Sequence, residues 1–171
     1  NPVHVARLVS QSEYNVLAGR GAAEFALNQG CEPVARDKIS NTGKDFSTTD
    51  TVGCVVQMGD EFAAALSTGG IDDAIPGRVG DVPLIGCGLY AGPAGAVATT
   101  GDGEAIAMQV TALRAYQLIE QGMDPKAIVP TVTGWFKEST AFGIIVVSKT
   151  GFAGGSNRGM AWTASEMLLV H

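Results

Sequence analysis

The sequence predicts a layered fold of the α/β or α+β kind with part of its sheet antiparallel. Three features carry that prediction: paired strand-like runs after residue 50, a helix-periodic stretch from residue 104, and the apolar run FGIIVVS at residues 142–148. With 171 residues, 46% apolar and 16% charged, the chain can bury one sizeable core and is neither disordered nor fibrous. Seventeen acids against eleven Lys plus Arg give a net charge of −6. That balance argues against a nucleic-acid partner and against an anionic membrane surface.

Taken in order, residues 2–10 (PVHVARLVS) set Val3, Ala6, Leu8 and Val9 on one helical face, with Pro2 tolerated in the first turn. A second helix is expected over Gly21–Asn28, ended by Gly30. From Glu32 to Asp50 the sequence is polar and rich in turn formers, which reads as a solvated linker and places the clearest boundary near residue 50. Next come a strand at Thr51–Val56, expected to be buried on both faces, a Gly59-Asp60 turn, and a second strand at Glu61–Ser67. Residues 69–95 are too rich in glycine and proline for regular structure and read as a long ordered loop, a common carrier of function. A strand at Ala94–Thr99 leads through Gly101-Asp-Gly103 into one helix over Glu104–Gln121. Asp124-Pro125 then caps another helix that runs towards Lys137 with a kink at Pro130. Lys149-Thr-Gly151 is a turn after the buried strand, and a last strand is expected around Gly159–Ala164.

Cys31, Cys54 and Cys87 form no C-x-x-C pair, so neither a disulfide framework nor a structural zinc site is indicated, and a reducing compartment such as the cytoplasm fits. The only histidines are His4 and His171. A Ser-His-Asp or Cys-His catalyst therefore lacks its central imidazole, and any nucleophile must find its base elsewhere.

Four segments carry chemistry. Gly86-Cys-Gly-Leu-Tyr-Ala91 matches a dinucleotide-binding pattern but does not sit between a predicted strand and helix, so nucleotide binding is disfavoured. In Gly77-Arg-Val-Gly-Asp81, glycines flank an arginine and an aspartate. Arg78 can take an α-carboxylate and Asp81 an α-ammonium of one zwitterion, or the two can pair with each other in a surface turn. Thr99-Thr-Gly-Asp-Gly-Glu104 sets small residues and free amides at a strand-to-helix turn, a suitable place for a developing oxyanion. Finally, Asp50-Thr51-Val-Gly53 starts a strand with a threonine. Its hydroxyl is a simple strand residue, or else a nucleophile whose base is the threonine's own α-amine once the preceding peptide bond is cut.

Together with Ser67-Thr-Gly-Gly70, Gly103-Glu104 and Gly143–Gly151, these segments resemble, in order and spacing, the plant-type asparaginases and isoaspartyl peptidases of the N-terminal nucleophile hydrolases. The resemblance implies an α+β fold, a four-layer αββα sandwich built from two subunits of one self-cleaving precursor. Residues 1–50 then hold the end of the first subunit with its linker, and residues 51–171 are the second subunit, the whole forming one structural domain. It implies Thr51 as nucleophile, Asp50–Thr51 as the cleaved bond, and Thr68 as the threonine supporting the amine. Thr100 and Gly101 serve as oxyanion hole and substrate contacts, and Arg78 with Asp81 hold the substrate's α-groups.

The implied reaction is hydrolysis of L-asparagine and of β-aspartyl dipeptides, without a metal or organic cofactor in the chemistry, although a structural sodium is possible in the first subunit. A homodimer of cleaved units is implied as well. Two features depart from the pattern. Asp50 stands where asparaginases more often have glycine, as in glycosylasparaginases, which makes glycosylasparaginase the alternative enzyme. The upstream His-Gly-Gly-Ala-Gly segment of the first subunit is also not in this sequence, so the layers it would complete are expected to expose apolar surface. An uncleaved homologue acting as a binding or assembly protein is the non-enzymatic alternative.

Overall fold

Capping chemistry decides where the first helices start and stop in the computed structural model, which describes residues 1–34 and 50–166. Most of the expected linker, and His171, lie outside the described residues. The chain divides into two compact units, Asn1–Asp50 and Thr51–His171. In the first, helix α1 (Pro2–Ser10) opens with Asn1, whose side chain accepts from the Val3 amide at 3.1 Å, and with proline in its first turn. Helix α2 (Gly19–Asn28) ends at Gly30, with φ +77°. The Gly30 amide reaches the Leu27 carbonyl and the Cys31 amide the Ala26 carbonyl, a Schellman closure that favours glycine at the left-handed position.

The second unit is built on antiparallel strands. Strands β1 (Thr51–Met58) and β2 (Glu61–Thr68) form a hairpin in full register, from Thr51 opposite Thr68 to Met58 opposite Glu61. Strands β3 (Leu89–Gly92), β4 (Gly95–Gly101), β5 (Phe142–Ser148) and β6 (Gly151–Ser156) form a second sheet in that order. Between β4 and β5 run helices α3 (Gly103–Gln109), α4 (Thr111–Glu120) and α5 (Pro125–Thr133).

Alternation along β4 and β5 sorts the layers. Val97, Ile144 and Val146 face a core with Ala112, Ala115, Tyr116, Ile128 and Val132 of the helices, while Ala98 and Ile145 face the β1–β2 hairpin. The unit is thus mixed α and β with antiparallel sheets, in the layer order helices, four-stranded sheet, hairpin.

Five expectations need correction. The single helix expected over Glu104–Gln121 is two, because Val110 takes a left-handed conformation (φ 49°, ψ 49°) between them. The Ala112 and Leu113 amides donate instead to the Cys87 and Gly86 carbonyls at 3.0 and 2.9 Å, so the first backbone amides of α4 are tied to the preceding loop, while the Thr111 hydroxyl donates to the Ile106 carbonyl of α3. Strand β1 is not buried on both faces. Val52 and Met58 are 68% and 67% exposed, since the hairpin meets the larger sheet on one side and, among the described residues, nothing covers the other. The last strand is β6 at Gly151–Ser156, where the Lys149-Thr150 turn returns the chain directly onto β5, rather than a strand near Gly159–Ala164. Residues 89–92 of the expected long loop are strand β3, and α5 stops at Thr133, before Gly134, rather than reaching Lys137.

Ile144 of β5 is fully buried in the core that the sheet forms with the helices. Replacing Ile144 by Ala is expected to cost about 2–5 kcal/mol by leaving a cavity, measured as a lower denaturant midpoint with an unchanged slope.

Candidate active site

Thr51 is the first residue of β1, and antiparallel register sets it opposite Thr68, the last of β2. Its Oγ1 donates to Thr68 Oγ1 at 3.1 Å, and Thr68 Oγ1 also accepts from the Gly70 amide at 3.1 Å, which fixes the rotamer of the second threonine. Thr51, Gly53 and Leu66 then line a small recess with Ala98, Thr99 and Thr100, so Thr51 shares one concave surface with Thr100, 49 positions later in the sequence.

Gly101 follows Thr100 at the end of β4 with φ +131°, and a Cβ there would collide with the Ala141 carbonyl. Only glycine fits that turn. The Asp102 amide donates to the same Ala141 carbonyl at 2.8 Å. The Asp102 side chain caps α3 by accepting from the Ala105 amide at 2.9 Å. The strand-to-helix turn is thereby held at both ends.

A second, wider recess is lined by Thr68, Gly70, Arg78, Gly80 and Pro83, and the Thr51–Thr68 hydrogen bond joins a residue of one recess to a residue of the other. Arg78 does not pair with Asp81. Its Nε and Nη2 donate to Glu104 Oε1 and Oε2 at 2.9 and 2.8 Å, a bidentate bridge across 26 positions. Glu104 is the residue at this site whose role the sequence did not disclose. An acid in the first turn of a helix is explained by the helix dipole alone, and no local signal links it to an arginine so far upstream. Each partner holds the other's charge: the hydrogen bonds to Glu104 raise the Arg78 guanidinium further, and those from Arg78 lower the Glu104 carboxyl below its ordinary value.

Asp81 is 6% exposed, and its Oδ2 has no hydrogen-bond partner among the described residues. Burial raises its carboxyl above the ordinary aspartate value, against the pull of nearby backbone amides and of the Arg78 charge. A Cβ on Gly103 would stand 2.9 Å from both Arg78 Nη2 and Asp81 Oδ1, which brings guanidinium and carboxylate to the same backbone position. An unpartnered buried carboxylate oxygen beside an arginine is half of a receptor for a group bearing both charges.

Asp50, the residue before Thr51, is exposed, and neither it, Asp81 nor Gly101 lines the two recesses. Cys87, half-buried, has its thiol raised by burial and then by Asp81, which leaves it a poor nucleophile. Among the described residues no cluster of His, Cys, Asp and Glu could hold a metal, and no helix is long and apolar enough to cross a membrane.

A family model described as asparaginase matches residues 36–168. The isoaspartyl peptidase/L-asparaginases of Danio rerio and Homo sapiens are each 35% identical over the whole of this chain, which spans 63% of their length. A plant-type L-asparaginase of Pyrococcus horikoshii is 31% identical over 90% of the chain and 60% of its own length.

The Glu104 side chain is 62% exposed, so its bridge to Arg78 contributes no more than about 1 kcal/mol to stability. Because the folded carboxyl lies below its unfolded value, that contribution is present above the unfolded value and is lost as pH falls through the folded one. Carboxyl titration by NMR is expected to find Glu104 below its ordinary midpoint and to find it raised in Arg78→Ala.

Proposed function

We propose, from the premise that this chain belongs to the asparaginase family, that it is the catalytic part of a self-cleaving threonine amidohydrolase acting on L-asparagine and β-aspartyl dipeptides. The single observation that carries this reading is the Thr51–Thr68 hydroxyl pair, set by strand register with Thr51 on the recess that Thr100 also lines. No imidazole is needed in such an arrangement. Once the Asp50–Thr51 bond is cut, the Thr51 α-amine titrates near neutrality and can take the proton of the Oγ1 of the same residue.

The side-chain amide carbon of the substrate is attacked by Thr51 Oγ1, forming a C–O bond. The carbonyl oxygen takes up negative charge, and the Thr100 hydroxyl with the Gly101 amide would stabilise it. The C–N bond then breaks as the proton held by the amine passes to the leaving nitrogen, giving ammonia, or an amino acid from a β-aspartyl dipeptide. A β-aspartyl ester on Thr51 remains. Water, deprotonated by the same amine, hydrolyses that ester and releases aspartate. Arg78 would bind the α-carboxylate and Asp81 Oδ2 the α-ammonium, which anchors the aspartyl unit whatever the leaving group. No metal or organic cofactor takes part in these steps.

In the same reading, residues 1–50 end the first subunit and residues 51–171 form the second. The helices, sheet and hairpin are three layers of a four-layer αββα sandwich, whose fourth layer would cover the exposed face of β1. A homodimer of cleaved units in the cytoplasm, with a structural sodium possible in the first subunit, completes the picture. Asp50 is the one observation that favours a second reading, glycosylasparaginase, in which the leaving group is a sugar amine.

Thr51→Ala is expected to abolish both self-cleavage and asparagine turnover without unfolding the protein. Intact mass would show the wild type as two fragments summing to the chain plus one water, and the variant as one species. Ammonia release by the variant at the wild-type rate would overturn the assignment. A glycosylated asparagine hydrolysed faster than asparagine would transfer it to the second reading.

A further inference from the structure

Glu104 occupies one edge of Arg78 and leaves the other open. The hydrogen bonds to Glu104 use Nε and Nη2, the side-on fork of the guanidinium. The Arg78 side chain makes no other hydrogen bond among the described residues, so the end-on fork, Nη1 with the second hydrogen of Nη2, is unengaged, and Arg78 lines the wider recess. Two glycines make room for that edge. A Cβ on Gly80 would stand 2.8 Å from Nη1, and one on Gly103 2.9 Å from Nη2.

We infer that Glu104 is a positioning residue, gripping Arg78 by its side-on fork so that its end-on fork is presented to a substrate carboxylate. The inference rests on the reading above that Arg78 receives the α-carboxylate.

The placement of Glu104 gives the grip its value. It stands in the first turn of α3, three residues after Gly101 and directly behind the capped turn that closes on the Ala141 carbonyl. The arginine that would hold one end of the substrate is thereby tied to the turn that would hold the reacting amide at the other. A long arginine side chain left without this tether has several rotamers, and fixing one before binding lowers the cost of ordering it when the substrate arrives. The bridge is half in water and adds little to folding, so its effect falls on binding geometry rather than on stability.

Steady-state kinetics on the full-length, self-cleaved protein tests this with two substrates: asparagine, and aspartic diamide, in which an amide replaces the α-carboxylate. Glu104→Ala is expected to raise KM for asparagine about tenfold while kcat changes less than about twofold, the pattern of lost uniform binding. The diamide parameters should not change, and in an Arg78→Ala background the second substitution should add nothing. Glu104→Gln keeps the side-chain volume and one of the two hydrogen bonds, so it should fall between wild type and Glu104→Ala. It gives the same reading if the alanine variant fails to fold.

The inference is overturned if Arg78→Ala raises KM for asparagine and neither Glu104 variant does. It is also overturned if both Glu104 variants lower kcat equally on both substrates, the mark of a purely structural role. No asparagine turnover by the wild type, or an unchanged KM in Arg78→Ala, would instead overturn the reading of the site itself and this inference with it.

Discussion

Strand β4 is covered on both faces, and the second unit is arranged around that constraint. Residues Gly95 to Thr99 are all buried, with helices on one side and the hairpin on the other. A strand so enclosed must be thin. Its sequence GAVATTG supplies small side chains, and at Gly95 even a methyl group would collide with the Val147 carbonyl and stand 2.9 Å from Ile119. The same strand emerges from the core at Thr100 and Gly101. Rigidity bought by burial at one end is thus delivered to the candidate oxyanion turn at the other, where a fixed donor array is worth most.

Much of this was legible in the sequence, for reasons that differ by element. Asn1-Pro2 and Asp124-Pro125 announce helix starts because capping is local chemistry, and the structure places both helices there. The run FGIIVVS is a buried strand because β-branched residues suit a doubly covered sheet position. What failed was tertiary. The apolar stripe continues across Val110, so nothing local signals that the first backbone amides of the following helix turn to the Gly86–Cys87 carbonyls. A run such as TVGCVV likewise tells that a strand is apolar and not how many faces are covered.

The candidate site divides in the same way. The threonines could be singled out because each sits at a strand end, Thr68 and Thr100 beside glycine and Thr51 where the polar stretch meets an apolar run, features visible in the chain. The partner of Arg78 could not, since the choice between Asp81, three positions away, and Glu104, twenty-six away, is made by the path of the loop and not by spacing. The outcome separates two duties. Glu104 takes up one edge of the guanidinium in full, and Asp81 keeps a buried oxygen unpartnered, so the carboxylate that binds the arginine is not the one available for a ligand.

The β1–β2 hairpin acts as a ruler. Thr51 meets Thr68 because eight cross-strand pairs run without a bulge from the two-residue turn at Gly59 and Asp60. Seven steps of strand separate that turn from the threonine, roughly 23 Å at the usual rise. Side chains alternate with a period of two, so a single residue gained or lost at the turn would bring Val52 or Asp50 opposite Thr68 and send the hydroxyl to the other face. The aim of the Thr51 hydroxyl is therefore set at the far end of the hairpin. A loop tip that touches no reacting atom is expected to tolerate changes of residue there but not changes of length.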